Sequence, residues 1–391
     1  MGHEMTAHAV IAPSSLARIV QCPGSFVLCK PYADVQTDAS REGTVAHHVA
    51  MVFAIASGRD GITPNSGCGI LPQVGDTLIG LGPEFEGVRV DQEMIEGAKM
   101  YAEALEGFAG NPEQTINIPR IHPMLCFGTP DFWQYSKNTR TLRITDYKYG
   151  HAYVEVFENY QLIAYAAGIL DKLAAEGVLL EFETIVEFMI VQPRCYSADS
   201  PVRTWTTSTS NLRVLINVAH DRVADALGPN PECVTGPECL HCDARVNCDT
   251  ASRAGASLVQ FAGRAEALAQ SGADMGVRLN LINAAITMLK AIGSGLEEQI
   301  IATLRKGGTV PFFKVDYSKP RETWAKSVAE VKLLGQLCGV VLVKEDYDLT
   351  PKQAVKKGID RAVIDKYAFT PNGAAKLVPD NLSSHARIFK K

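Results

Sequence analysis

The chain has 391 residues, 46% hydrophobic and 21% charged, with ten cysteines and a net charge of -5, a soluble composition with room for one large domain and an appendage. No stretch approaches the ~20 uninterrupted apolar residues of a bilayer-crossing helix, and the start lacks the basic-then-apolar order of a secretory signal, so no membrane is expected and a cytoplasm is. The charge is uneven: residues 305–391 hold 17 Lys/Arg against 9 Asp/Glu, a basic appendage on an acidic body that leaves room for a local nucleic-acid groove.

Residues 14–30 read as a short amphipathic helix from a serine cap, broken at Pro23-Gly24. Ser40 is placed to cap a second helix that ends at Gly58. The segment 59–90 is rich in Gly and Pro and reads as a loop leading into a helix near 91–108. Alternating β-branched and aromatic residues then predict strands near 115–121, 127–135 and 141–148, the last two joined by a polar turn at 136–138. A helix at about 158–175, strands at 184–192 and 202–207, and a helix at about 209–227 follow. This order describes an α/β core with a central mixed β-sheet flanked by helices. Beyond 250 come a long helix over 278–306, short strands and a helix over 310–347, and a small helical unit over 350–367. The expected division is a domain over 1–254 and a basic, mainly helical α+β C-terminal extension over 255–391.

Gly128-Thr129-Pro130-Asp131 opens one strand, and Asp146-Tyr147-Lys148 sits on the next. Side chains alternate across a strand, so Asp146 and Lys148 share a face and Tyr147 points away. A neighbouring antiparallel strand can bring Asp131 beside them. Two carboxylates and a main-chain carbonyl make a hard oxygen site suited to Mg2+ or Mn2+, with an amine to orient the attacking water. The bland alternative is a turn aspartate and a solvated strand face. On the helix before the sheet, Gly43 permits close packing and His47 can face the site as a ligand or serve only structure. Gln161 and Tyr165 lie one helical turn apart after the lysine strand. They can hold the strand end or a DNA phosphate, or simply form a polar helix edge.

The cysteines belong to a chain too long to need disulfide staples, so their spacing is read for metal. Cys239-x2-Cys242-x5-Cys248 is a compact soft-ligand run, and Cys22 lies in Gln21-Cys22-Pro23-Gly24 far upstream. Cys233 precedes Cys239 by five intervening residues, which leaves open a local zinc site of Cys233, Cys239, Cys242 and Cys248. Cys29, Cys68, Cys126, Cys195 and Cys338 read as core or surface residues.

Taken in order over residues 14–250, these motifs resemble the RecB-like branch of the PD-(D/E)xK nucleases, especially iron–sulfur members such as the AddB nuclease and the CRISPR-associated RecB-type exonucleases. The resemblance implies a restriction-endonuclease-like core and a metal-dependent deoxyribonuclease, as an exonuclease in recombination, repair or phage DNA processing. It makes His47, Asp131 and Asp146 metal ligands with the Tyr147 carbonyl, Lys148 the catalytic lysine, and Gln161 and Tyr165 a further motif toward DNA. Glu113 would be a further acidic position. Cys22, Cys239, Cys242 and Cys248 would hold a 4Fe–4S cluster that clasps the N-terminal helix to the segment after the core. The tail, with Phe312-Phe313-Lys314-Val315 and Leu377-Val378-Pro379, resembles that of phage-encoded RecB-like proteins. No Gly-x-x-x-x-Gly-Lys-Ser/Thr motif is present, so unwinding would fall to a helicase partner, with annealing or single-strand-binding proteins as other candidates. Tyr147, Tyr149, Tyr153 and Tyr160 are candidates to stack on single-stranded DNA or to pack. Two rival readings remain: a non-catalytic DNA-end or protein-binding module on a nuclease scaffold, and a zinc-binding interaction protein with incidental carboxylates.

Overall fold

A computed structural model describes residues 9–32, 37–56, 71–78, 85, 87–178, 184–195, 200–262, 272–317, 323–324, 326, 328–342, 349–370 and 375–379. Cys68 and much of the expected 59–90 loop lie outside them.

The N-terminal segment makes two short helices, α1 (Leu16–Gln21) and α2 (Gly24–Leu28), with the expected break at Cys22-Pro23. No side chain caps α1, because the Ser15 hydroxyl turns back to the Ala12 carbonyl. Helix α3 (Asp38–Ala56) starts before Ser40; its cap is Thr37, whose hydroxyl accepts from the Ser40 N–H at 3.1 Å. Helix α4 (Gln92–Ala104) is capped by the Asp91 carboxylate and packs along α3.

The sheet that follows has five strands in the order β1-β4-β5-β6-β7. These are β1 (Asn111–Pro112), β4 (Phe132–Ser136), β5 (Thr141–Tyr147), β6 (Ile185–Val191) and β7 (Val202–Ser208). Only β5 and β6 run parallel, and a parallel pair needs a crossover. Helix α5 (Tyr160–Ala175) supplies it, and its apolar residues from Leu162 to Leu173 are buried. Helix α6 (Thr209–Leu227), capped by Ser208, follows β7. The architecture is therefore α/β around a five-stranded mixed sheet, as the periodicity implied.

Two expected strands are shorter than predicted. The 115–121 strand shrinks to β2 (Ile116–Asn117), paired with β3 (Phe127–Gly128) outside the main sheet. Pro119 and Pro130 interrupt the two runs, since proline has no N–H for a ladder. The first member of the meander is instead β1, an edge strand that pairs with β4.

Each sheet face has its own core. Leu142, Ile144 and Phe188 pack against α1, α5 and α6. Phe132, Tyr147 and Val191 pack against α3 and α4. The first face is tight where α5 crosses β2: a Cβ on Gly168 would meet the Asn117 carbonyl oxygen at 2.5 Å and Ile116 Cγ2 at 2.6 Å. A backbone carbonyl cannot swing aside as a side chain tip can. Gly168→Ala is expected to destabilise the fold by about 1–3 kcal/mol, read as a lower thermal midpoint; an unchanged midpoint would mean that α5 does not seat this closely.

The C-terminal part contains α7 (Asp249–Ala262), α8 (Gly272–Arg305), β8 (Phe313–Tyr317), β9 (Thr323–Trp324), α9 (Val328–Leu337), α10 (Pro351–Lys356), α11 (Arg361–Ile364), β10 (Ala368–Phe369) and β11 (Ala375–Pro379). The two tail motifs singled out above meet, as β8 and β11 pair with Leu377 opposite Val315. A small separate core gathers Val331, Leu334, Leu349 and Ile364. The 254/255 boundary falls inside α7. In α8, Met275–Arg305 is long enough, and apolar enough over its most apolar window, to cross a bilayer by length and composition alone, with 22% of that window buried. The sequence reading, which sought uninterrupted apolar runs, did not register it.

Candidate functional site

The antiparallel register of β4 and β5 pairs Phe132 with Thr145, so one step further Asp131 lies across from Asp146. Asp131 stands just ahead of its strand rather than on it. Its carboxylate accepts the Tyr147 N–H at 2.6 Å, which fastens the loop to the strand end. Asp146 and Lys148 share the α5 face, and the Lys148 ammonium reaches Asp146 Oδ2 at 3.0 Å. Tyr147 points to the opposite layer, where its ring meets His47 edge to face at 5.2 Å. His47 Nδ1 lies 3.6 Å from Asp131 Oδ2. Five residues chosen from sequence thus converge where β5 ends.

Helix α5 completes the group from the other side. The Gln161 side-chain carbonyl accepts from Lys148 Nζ at 3.0 Å, while its amide donates toward Asp146 Oδ1 and the Tyr165 hydroxyl, each at 3.3 Å. Asn159 caps α5 by accepting from the Gln161 and Leu162 N–H groups, which sets the first turn. Of the alternatives offered for Gln161 and Tyr165, the contacts match the one at the strand end: Gln161 engages Lys148, Asp146 and the Tyr165 hydroxyl, and Tyr165 is buried. The glycine expectation also shifts. A Cβ on Gly43 would meet nothing within 4 Å, whereas one on Gly128 would strike Pro13 Cγ at 2.7 Å and Tyr165 Cε1 at 2.9 Å. The close approach therefore belongs to Gly128.

The electrostatics are those of buried like charges. Burial, then Asp131 and Asp146, push Glu113 up to about 8. Burial raises Asp131 to about 6, with His47 opposing and Asp146 adding to the rise. Burial would lower the Lys148 ammonium, but Asp146 and Asp131 outweigh it and leave Lys148 above its ordinary value. Glu113 donates its N–H to the Asp131 carbonyl at 3.1 Å and takes φ 45°, a left-handed conformation that non-glycine residues seldom adopt. Tyr101, 2% exposed on α4, turns its hydroxyl to this region without a hydrogen-bond partner among the described residues. The sequence reading missed Tyr101, whose one signal is a polar tip on the buried face of α4 beside Met94 and Ala98.

The segment between β5 and α5 is held from the end of the neighbouring strand β6. Gln192, fully buried, donates to the Gly150 and Ala152 carbonyls at 2.7 Å and accepts from Arg203 at 2.6 Å. Of the tyrosines offered for base stacking, Tyr147 and Tyr149 are buried and pack, while Tyr153 is 42% exposed.

The cysteines form a second constellation. Cys22, Cys233, Cys239, Cys242 and Cys248 line one pocket, all as free thiols. The Cys233 thiol meets those of Cys22 and Cys248, and Cys239 lies near the same two. Cys242 instead has its sulfur 3.6 Å from that of Cys29, whose own sulfur takes a 2.7 Å contact from Arg18. Cys29, expected as an ordinary core or surface residue, is thus part of this group. Its thiol is lowered to about 6, first by Cys242 and then by Arg18 against the effect of burial.

No group of three or more His, Cys, Asp or Glu among the described residues is already drawn to metal-holding spacing. The fit of each constellation to a metal rests on donor chemistry. At the first, buried carboxylates repel one another beside a neutral-capable imidazole, the charge pattern that a hard cation relieves. At the second, thiols some 200 residues apart in sequence gather among the guanidinium groups of Arg18 and Arg245, suited to a soft, anionic centre.

The sequence model of a family described as a protein of unknown function (DUF2800) matches residues 8–381, nearly the whole length, and the chain belongs to that family.

Proposed function

We propose that the chain is a metal-dependent DNA nuclease of the RecB-like PD-(D/E)xK type, with a restriction-endonuclease-like core. The observation that carries this reading is the placement of Asp131 across from Asp146 with Lys148 ion-paired on the same face at 3.0 Å. Asp131, Asp146 and His47, with the Tyr147 carbonyl, would hold Mg2+ or Mn2+. When bound, such an ion supplies positive charge for the phosphate and makes water acidic enough to attack near neutral pH.

The chain's own groups have separate tasks. Gln161 and Asp146 hold the Lys148 ammonium at a fixed point, where it can donate to a phosphate oxygen or orient the attacking water. The Tyr147 N–H keeps Asp131 aimed at the strand end. Burial by α3, α4 and α5 excludes bulk water and strengthens each of these interactions. The basic C-terminal part adds phosphate contacts or recruits a partner.

Cysteine thiolates would hold a 4Fe–4S cluster as a structural clasp between α1 and the 233–248 segment. One contact supports that joining directly, Gln21 accepting from the Glu238 N–H at 3.1 Å, and two flank it: Arg222 of α6 donates to the Val20 carbonyl at 2.8 Å, and the Gly24 N–H of α2 reaches the Glu232 carbonyl at 2.7 Å.

The test is digestion of end-labelled linear and circular DNA, single- and double-stranded, with Mn2+. Cleavage that disappears on chelation and returns with Mn2+ is expected. Binding of DNA ends without cleavage under any divalent ion would favour the non-catalytic module, and absence of both would remove DNA from the account.

A further inference from the structure

Helix α8 carries two apolar faces, and its fold uses one of them. On the first, Ala285, Met288 and Ala291 are buried, and α7 packs along the helix. The Ala291 carbonyl accepts from Arg245 Nε at 2.9 Å, and a Cβ on Gly295 would strike the same nitrogen at 2.7 Å. On the second face, Leu279, Ile282, Ile286, Leu289, Gly293 and Leu296 recur at alternating steps of three and four residues, and the stripe runs back to Met275. This is the a/d spacing of a coiled coil, which places one residue after another against a second helix. Yet Met275, Leu279, Ile286, Leu289 and Leu296 are between 44% and 57% exposed. A helix that crosses a bilayer is apolar all round, whereas here Asn283, Lys290 and Glu297 stand exposed along one edge of the stripe and Arg245 anchors the opposite side. The pattern suits a partner helix of the same kind.

The residues in and beside the stripe indicate that this partner is a second copy of the chain. Lys290 and Glu297 lie one heptad apart on the same edge, and neither has an ion-pair partner among the described residues. Two α8 helices set antiparallel about a two-fold axis between Ser294 and Gly295 bring Lys290 of each copy beside Glu297 of the other. In that same register Leu296 of each copy lies over Gly293 of the other. A Cβ on Gly293 would meet nothing within 4 Å, so the chain by itself gives no packing reason for a mid-helix glycine, which weakens a helix relative to alanine. A leucine from across the pair fills that opening. A parallel pair instead sets Lys290 against Ala285 and Glu297 against Ile292, with no opposite charges facing each other.

We propose that the open face of α8 is a self-association surface through which two copies of this chain pair antiparallel, with Leu296 over Gly293 and Lys290 beside Glu297. The overlap covers 284–305, about 33 Å of helix. That is less surface than the ~800 Å² per partner of a standard interface, so a dissociation constant on the order of 10 μM is expected. The pairing is independent of the chemistry proposed for the Asp146 site.

The test is sedimentation equilibrium of the full chain over ~2–200 μM, as wild type and as L296E, K290E, E297K and K290E/E297K. The wild type is expected to pass from monomer to dimer across that range. L296E should weaken the dimer at least about ten-fold, the effect of losing a central anchor, with circular dichroism unchanged because Leu296 is on the surface of a single copy. K290E and E297K each set like charges against each other and should weaken the dimer about three-fold, while the double variant should return to within about two-fold of wild type. A wild type that stays monomeric at every concentration, or a dimer indifferent to L296E, would overturn the proposal. A double variant as weak as either single one would overturn the antiparallel register. A monomer that instead floats with phosphatidylcholine vesicles would give this face to a bilayer and overturn the pairing as well.

Discussion

Lys148→Ala is expected to lower Mn2+-dependent DNA cleavage by about 10²–10⁴-fold, the range associated with removing a positioned acid–base group. The ammonium lies between Asp146 and Gln161, 3.0 Å from each. The same change strips Asp146, 2% exposed, of its counter-charge, and an uncompensated buried charge of that kind costs about 3–5 kcal/mol. Lost activity could then reflect lost fold. The double variant Asp146→Asn with Lys148→Met removes both charges and is expected to recover most of the thermal stability while remaining inactive. DNA binding, followed by fluorescence anisotropy, should persist in both. Cleavage by Lys148→Ala at the wild-type rate would refute the role given to this lysine.

A second large effect is expected on stability, with a sign opposite to that of most buried-site substitutions. Glu113 rises from 4.5 to about 8 and Asp131 from 3.8 to about 6, each first through burial. Below the lower value of each pair, folded and unfolded chains both hold the proton and the group is neutral to stability. As pH rises between the two values, the unfolded chain ionises first, so it binds fewer protons and stability falls. Above the higher value both states are ionised and the loss is complete. The metal-free protein should therefore be less stable at pH 8 than near pH 5, by a margin of about 2–4 kcal/mol on the linkage scale. Glu113→Gln should flatten much of that slope and raise the melting temperature of the metal-free protein at pH 8. It should also shrink the stabilisation that Mn2+ confers, because one of the repelling carboxylates is gone. A melting temperature at pH 8 that is unchanged or lower in Glu113→Gln would show that Glu113 is not part of the crowded group.

Much of this arrangement is legible from residue order. Strand alternation alone puts Asp146 and Lys148 on one face and Tyr147 on the other, and the structure keeps that division to the point of giving each side a different helix layer. Helices α5 and α6 and strands β6 and β7 follow their hydrophobic periodicity within a residue or two. The failures have local causes. Prolines at 119 and 130 cut strands that apolar alternation had extended, because alternation reports burial and is blind to a missing N–H. For Gln161 the strand end, a phosphate and a polar helix edge stayed open, because an i, i+4 polar pair carries no information about what lies across from it. That Cys29 joins the cysteine group lies beyond spacing altogether, since its sulfur meets that of Cys242 only through the fold.

Arg245 carries a consequence for how the chain can be divided. Its guanidinium, 6% exposed, donates to the Cys242 and Ala291 carbonyls at 2.9 Å and pairs with Glu298 at 2.6 Å, so two of its three anchors belong to α8. An excised piece ending at 254 would leave that guanidinium half-solvated against the cysteine segment and would sever α7 mid-helix. The two parts divided at 254/255 are tied at this seam through one buried guanidinium, and heat should undo the 233–248 segment and the long helix together.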